Sequence, residues 1–216
     1  MKSDLHTLLD QPDFKEVWQV WLAARSDGAA PRRSDINMRS LAPFLENMLL
    51  YQWDGIEHLR CRVMGGNVQD RVQFSPQDTN WIEHIASDLV PASKSWWTEL
   101  YDRNGAGAME YSITYTSGDC RMGLALFMPV RHKNEEIHVF SMQAASPVYR
   151  VSEQTEGFII GEDLLRTVHI DISDESAVSM TGITEHKRVA GAPEAFRDVG
   201  SRFSAQKPTT PPFKSF

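Results

Sequence analysis

Apolar and polar residues alternate most regularly between Met109 and Ala145. Met109, Tyr111, Ile113 and Tyr115 are separated by Glu110, Ser112 and Thr114, the period of two expected of a strand with one buried face. Ser117-Gly118-Asp119 has turn chemistry, and Met122, Leu124, Leu126, Met128 and Val130 then repeat the pattern. A polar turn from His132 to Glu135 leads to a third run, Ile137 to Ala144. This pattern predicts an antiparallel meander with an apolar face that needs cover.

Upstream the period changes. Phe14, Val17, Trp18, Trp21 and Leu22 fall at i, i+3, i+4, i+7 and i+8, the stripe of an amphipathic helix. Pro12 suits its first position, Asp13 and Glu16 favour its positive end, and Arg25 with Gly28 suits its exit. The stripe serves either as core or as a contact between two subunits, and Phe14, Trp18 and Trp21 are the candidate interface residues. Pro31 to Ile36 should be extended, with Asp35 or Ser40 starting a short helical turn that contains Pro43. Asn47 to Trp53 and Glu57 to Gly65 read as a hairpin around Asp54-Gly55, with Leu59, Cys61 and Val63 on one face and His58, Arg60 and Arg62 on the other.

From Asn67 to Asn104 strand alternation is absent, and Pro76 and Pro91 divide the stretch into short helical pieces. Trp96, Trp97, Leu100 and Tyr101 form an apolar stripe, and Phe74, Trp81, Ile82 and Ile85 another, so the segment can lie across the sheet. Beyond Ser146-Pro147 the pattern weakens. Phe158 to Ile160 and Val168 to Ile172 are short apolar runs that read as strands or a docked arm, Glu162 to Arg166 has the composition of one helical turn, and from Glu185 onward the mix of Lys, Arg, Gly, Ser and Pro predicts a weakly ordered tail. The expected division is therefore 1–46 as N-terminal helix and linker, 47–145 as core, and 146–216 as a partly disordered C-terminal extension.

Composition narrows the function classes. The 216 residues suffice for one domain with additional segments. A net charge of -7 argues against a general nucleic-acid binder, because phosphate binding needs a basic face. Acidic residues interrupt the N-terminal stretch where a signal peptide needs an apolar run, and no later stretch has the length of a membrane span, so a cytoplasmic location without membrane contact is expected. Cys61 and Cys120 form no CxxC pair and are expected to be free, buried or half-buried thiols rather than a disulfide or zinc site.

Two strands, a helical excursion and a three-stranded meander is an element order similar to that of PAS domains. The segments Trp21-Leu22-Ala23-Ala24-Arg25, Pro31-Arg32-Arg33-Ser34-Asp35-Ile36, Leu41-Ala42-Pro43-Phe44-Leu45, Arg60-Cys61-Arg62-Val63-Met64-Gly65 and Leu124 to Val130 carry the likeness further. Through them the stretch from Phe14 to Ala145 resembles a bacterial PAS-like family that opens with a Trp-rich helix and an R-S-D-I segment. Met38 stands where that family commonly has a proline, and Val72 to Pro76 replaces its Gly-rich segment. The resemblance implies an α+β fold with a five-stranded antiparallel sheet in the order 2-1-5-4-3 and helices on one face, plus the N-terminal helix and C-terminal extension. It implies a stand-alone or fused signalling module more than any particular chemistry.

Candidate chemistry is sparse. Gly66-Asn67-Val68-Gln69-Asp70 lacks the cysteine that flavin photochemistry needs in related domains, and Ser93 to Arg103 lacks the axial histidine of haem-binding ones, so no cofactor is expected. His84, beside Ile82 and Ile85, reads as a half-buried core residue rather than a metal ligand. There is no Gly-rich phosphate loop, HExxH or GxSxG pattern, and catalysis is not expected. Trp81, Trp96, Trp97, Tyr101, Tyr111, Ile113, Leu124 and Leu126 are the candidate lining of an apolar cavity for a small organic ligand, against the alternative that they simply fill it. The expected role is a sensor acting through an unidentified signalling protein, and as a homodimer. The alternative is a ligand-independent adaptor or dimerisation module.

Overall fold

A computed structural model of the chain describes residues 5–26, 28–55, 57–72, 80–85, 87–102, 105–115, 120–133, 136–145, 159–172 and 179–186. The turn expected at Ser117 to Asp119, Phe74 of the expected second apolar stripe, the tail after His186 that is expected to be weakly ordered, and the His84 and Cys120 side chains lie outside what it describes. The helices are α1 (Pro12–Ala23), α2 (Met38–Leu41), α3 (Gly66–Val72) and α4 (Val90–Asp102). The strands are β1 (Met48–Trp53), β2 (Leu59–Met64), β3 (Ala106–Tyr115), β4 (Cys120–Arg131), β5 (Ile137–Ala145), β6 (Ile159–Asp171) and β7 (Ser179–Glu185). All pair antiparallel in one sheet ordered β2-β1-β5-β4-β3-β6-β7.

The sheet has seven strands rather than five. The two apolar runs read as strands or a docked arm fall largely in one 13-residue strand, β6, which also takes in Glu162 to Arg166 in place of the expected helical turn. Its partner is the free edge of β3, from Ala106↔Ile170 to Tyr115↔Ile159, with irregularities between Glu110 and Tyr111 and between Thr114 and Tyr115. An open edge offers a row of unpaired backbone groups, which overrides the local helical leaning of Glu-Asp-Leu-Leu-Arg. Arg166 lies opposite Glu110 and pairs with its buried carboxylate.

Both faces of the sheet are covered, which corrects the expectation of helices on one face. The first face carries Leu50, Leu124, Leu126, Met128, Val130, Phe140, Met142, Val168 and Ile170, packed against the Leu5–Asp10 turn and α1. Phe14, Trp18 and Trp21 are therefore in the chain's own core, each at most 3% exposed, and are not presented on a free helix face. Trp18 stacks on Trp21 at 5.1 Å, and Trp21 Nε1 donates to the Pro129 carbonyl at 2.9 Å. Pro129 lacks an N–H, and it sits beyond the last pair with β3, Gly107↔Phe127, where no ladder bond is lost on that side. The second face carries Leu49, Tyr51, Leu59, Cys61, Tyr111, Ile113, Tyr115, Ala125, Phe127 and Val139 beneath the helical excursion.

Smaller expectations are adjusted. Arg33–Asp35 is a single 3-10 turn between extended Arg32 and Ile36, and Asn37 rather than Asp35 or Ser40 caps α2, its side chain accepting from Ser40 N. The segment is held by Arg131, whose N–H donates to the Pro31 carbonyl at 2.8 Å and whose Nε donates to Ala30 O at 2.8 Å. In the first hairpin Gly55 adopts φ +91, as its turn requires. Tyr51 pairs with Cys61 but Leu50 with Val63, so Arg62 is a bulge residue and Val63 turns away from the face of Leu59 and Cys61, to 54% exposure. Among the described residues no helix is long and apolar enough to cross a membrane.

Candidate functional site

The helical excursion forms a lid over the second face. Asn80 fastens it to the β2 edge: Nδ2 donates to the Glu57 carbonyl at 2.9 Å, and Oδ1 accepts from Leu59 N at 3.1 Å and Ile82 N at 3.3 Å. A single side chain thereby satisfies an edge-strand donor and caps the Trp81–His84 turn. Lys94 of α4 pairs with Glu57 of the same hairpin. Further along α4, Trp96 lies over Gly107, where an added Cβ would be 2.6 Å from the indole, and stacks with His169 of β6 at 5.8 Å. The His169 ring nitrogen is also 3.2 Å from a Glu99 carboxylate oxygen, so β6 helps hold the lid helix.

Between lid and sheet lies a cavity of about 20 Å³. Tyr51, Trp97 and Phe127 form its aromatic wall, with Trp97 edge-on to Tyr51 at 5.6 Å and to Phe127 at 5.0 Å. Trp81, Ile85, Met109 and Ala125 complete the apolar surface, and Tyr111, Ser93 and Gln143 bring polar groups. The Ser93 hydroxyl is fully buried and has no hydrogen-bond partner among the described residues. Gln143 Oε1 accepts from Tyr111 OH at 3.0 Å and from Arg71 Nη2 at 2.8 Å, and Tyr115 OH donates to the Arg71 carbonyl at 3.0 Å. Arg71 is only 5% exposed, and its Nε is buried without a partner among the described residues.

The cavity assembles part of the expected lining. Trp81, Trp97 and Tyr111 line it, and Trp96 and Ile113 pack in the same core behind it. Leu124 and Leu126 do not reach it: register pairs Leu124 with Glu110 and Leu126 with Ala108, which puts both on the opposite face under α1. Tyr101, at the end of α4, is 40% exposed. Tyr51, Ala125 and Phe127 were hidden in strands apolar on both parities. Ser93, Gln143 and Arg71 carried polar side chains that local pattern assigns to solvent. The Tyr111–Gly123 pair left a signal: a glycine in an otherwise apolar strand marks close approach, and an added Cβ there would be 2.2 Å from Tyr111 Cζ.

Reactive groups are few in this core. Cys61 is buried and free, and burial pushes its thiol up to about 12, outweighing the opposing effect of its 3.4 Å contact with the Val63 carbonyl. Among the described residues no group of three or more His, Cys, Asp or Glu side chains could hold a metal ion. A different feature lies at the β1–β2 end. An open groove of about 350 Å³ is lined by Met38, Leu45 and Val63, each more than a third exposed, together with Met48, Leu50 and Phe140. No protein-family model matches the chain, and no curated protein matches it significantly.

Proposed function

We propose that this chain is a PAS-like sensory module that takes a small organic ligand between its lid and the central strands and relays occupancy through a protein partner. Two features support the PAS-like part of the reading. Five of the strands follow one another as β2-β1-β5-β4-β3, and the excursion between β2 and β3 lies over their aromatic face. The observation that carries the ligand is the cavity itself, an aromatic enclosure into which Ser93, Tyr111 and Gln143 converge. A few convergent polar groups in an apolar recess is the usual composition of a ligand site. Its volume sets the scale: about 20 Å³ holds one water-sized group, so the ligand is a molecule of few heavy atoms or one that opens the lid.

Native mass spectrometry of the purified protein, followed by thermal melts against small organic molecules, tests this. A ligand at a hundred times its Kd adds about 2.7 kcal/mol, which for a chain of this size raises Tm by roughly 5 to 10 °C. No retained mass, no shift with any compound and no change in tryptophan emission would remove the sensory reading.

The exposed groove favours a second reading, a ligand-independent dimerisation module whose contact is the face of Met38, Leu45 and Val63. Sedimentation velocity decides it. A homodimer dissociated by Val63→Asp supports that reading, and a monomer at high concentration removes it.

A further inference from the structure

The second core contains a cation that the described part of the protein does not neutralise. Arg71 is 5% exposed, and its guanidinium donates to the neutral amide of Gln143 while Nε has no partner. Arginine does not shed its charge on burial as lysine or histidine can. A buried charge is normally paired with an opposite one, and the same fold does this elsewhere: Arg166 meets the buried carboxylate of Glu110. The Tyr115 hydroxyl holds the backbone at Arg71, so the end of α3 is anchored to β3.

The placement of this charge indicates what would balance it. Gln143 and Tyr111 line the cavity, and Gln143 Oε1 is 2.8 Å from Arg71 Nη2, so the cation stands one hydrogen bond behind the cavity wall. Ser93 Oγ, wholly buried on the cavity's other side, lacks a partner among the described residues as well. A guanidinium edge matches a carboxylate in geometry, and one positive charge among apolar walls suits a monoanion better than a multiply charged phosphate.

We propose that, with the lid opened, the cavity binds a small monocarboxylic acid as its anion, the carboxylate taking the place of the Gln143 amide oxygen on Arg71 beside Tyr111 and the carbon chain lying against Tyr51, Trp97 and Phe127. The proposal rests on the sensory reading above and assigns its ligand class.

The test uses the full chain, tryptophan emission and thermal melts, and a series of carboxylates from formate to butyrate plus benzoate at constant ionic strength. Propionamide is the neutral isostere, and sodium sulfate controls for general anion effects. At least one carboxylate should give a saturable emission change and a raised Tm, with propionamide at least tenfold weaker. Arg71→Met should keep the near-UV circular dichroism of the fold and weaken that carboxylate at least tenfold. If Arg71→Met does not fold, Arg71→Lys, which keeps the charge but loses the planar fork, should weaken it by a similar factor. Unchanged affinity in the folded variant overturns the assignment, as does a neutral isostere that binds equally well or a wild-type protein that ignores the whole series. Native mass spectrometry separates the two levels: a retained neutral ligand with no carboxylate response leaves the sensory reading standing and removes only the anion.

Discussion

Replacing Gly123 by alanine probes the geometry on which the cavity depends. Tyr111 lies flat across this glycine, and an added Cβ would be 2.2 Å from Cζ and 2.6 Å from both Cε atoms. Both neighbours are constrained: Tyr111 is 3% exposed with its hydroxyl tied to Gln143, and Gly123 is held in ladders with β3 and β5. The ring must lift. Lost bonding to Gln143 costs about 1 kcal/mol and overpacking about 1–3 kcal/mol, so Gly123→Ala should destabilise by about 2–4 kcal/mol. Urea unfolding followed by tryptophan emission and far-UV circular dichroism measures this through the shift in midpoint. The decisive comparison is a cycle with Tyr111→Ala. With the ring gone, the methyl added by Gly123→Ala meets no obstacle and should be neutral or slightly stabilising, which gives a coupling energy of at least about 2 kcal/mol. A Gly123→Ala cost below about 0.5 kcal/mol, or the same cost in both backgrounds, would refute the reasoning.

Three further outcomes are expected. Trp21→Phe leaves the buried Pro129 carbonyl without its 2.9 Å donor and should cost about 1–3 kcal/mol, lowering Tm by roughly 3 to 10 °C; a melt within about 1 °C of wild type would contradict that role. In a Cys120→Ser background Cys61 should resist iodoacetamide at about pH 8 in the folded protein and react once urea unfolds it, since its thiol is buried and pushed up to about 12; rapid labelling of the folded form would contradict this. His138 and His186 are both lowered from the ordinary histidine value, chiefly by burial, with the neighbouring His132, Arg33 and Arg62 adding to the effect at His138 and Glu136 opposing it. The unfolded chain then binds more protons, so stability is full above about pH 6.5 and falls as pH drops below it, by at most about 1.4 kcal/mol per pH unit for each group. His138→Gln should flatten this slope, and a slope identical to wild type between about pH 7 and 5 would remove His138 as a source.

Much of the fold is legible in local pattern. The stripe of Phe14, Val17, Trp18 and Trp21 with Pro12 at its start defines α1, and the alternations of β1 to β5 fall within a few residues of their observed ends, because helical and strand periods are properties of neighbouring residues. Turn chemistry at Asp54-Gly55 placed the first hairpin for the same reason.

Sidedness was not legible. Period two says which residues of a strand share a face, but only pairing register says which faces of different strands coincide; Tyr111 and Leu124 each belong to an apolar alternation, and they point to opposite sides. The Arg62 bulge reverses Val63 within a single strand by the same rule. The polar half of the site was hidden because Arg71, Ser93 and Gln143 are buried only when α3, α4 and β5 meet, and nothing adjacent in sequence reports that meeting. Strand β6 is the clearest case of tertiary choice: its central residues would serve in a helix, and the open edge of β3 supplies the hydrogen bonds that make them a strand. The sequence by itself thus determined which segments are helix or strand across the first five strands. Tertiary contact decided which faces meet, how many strands the sheet holds and where a buried charge stands, because these depend on partners distant along the chain.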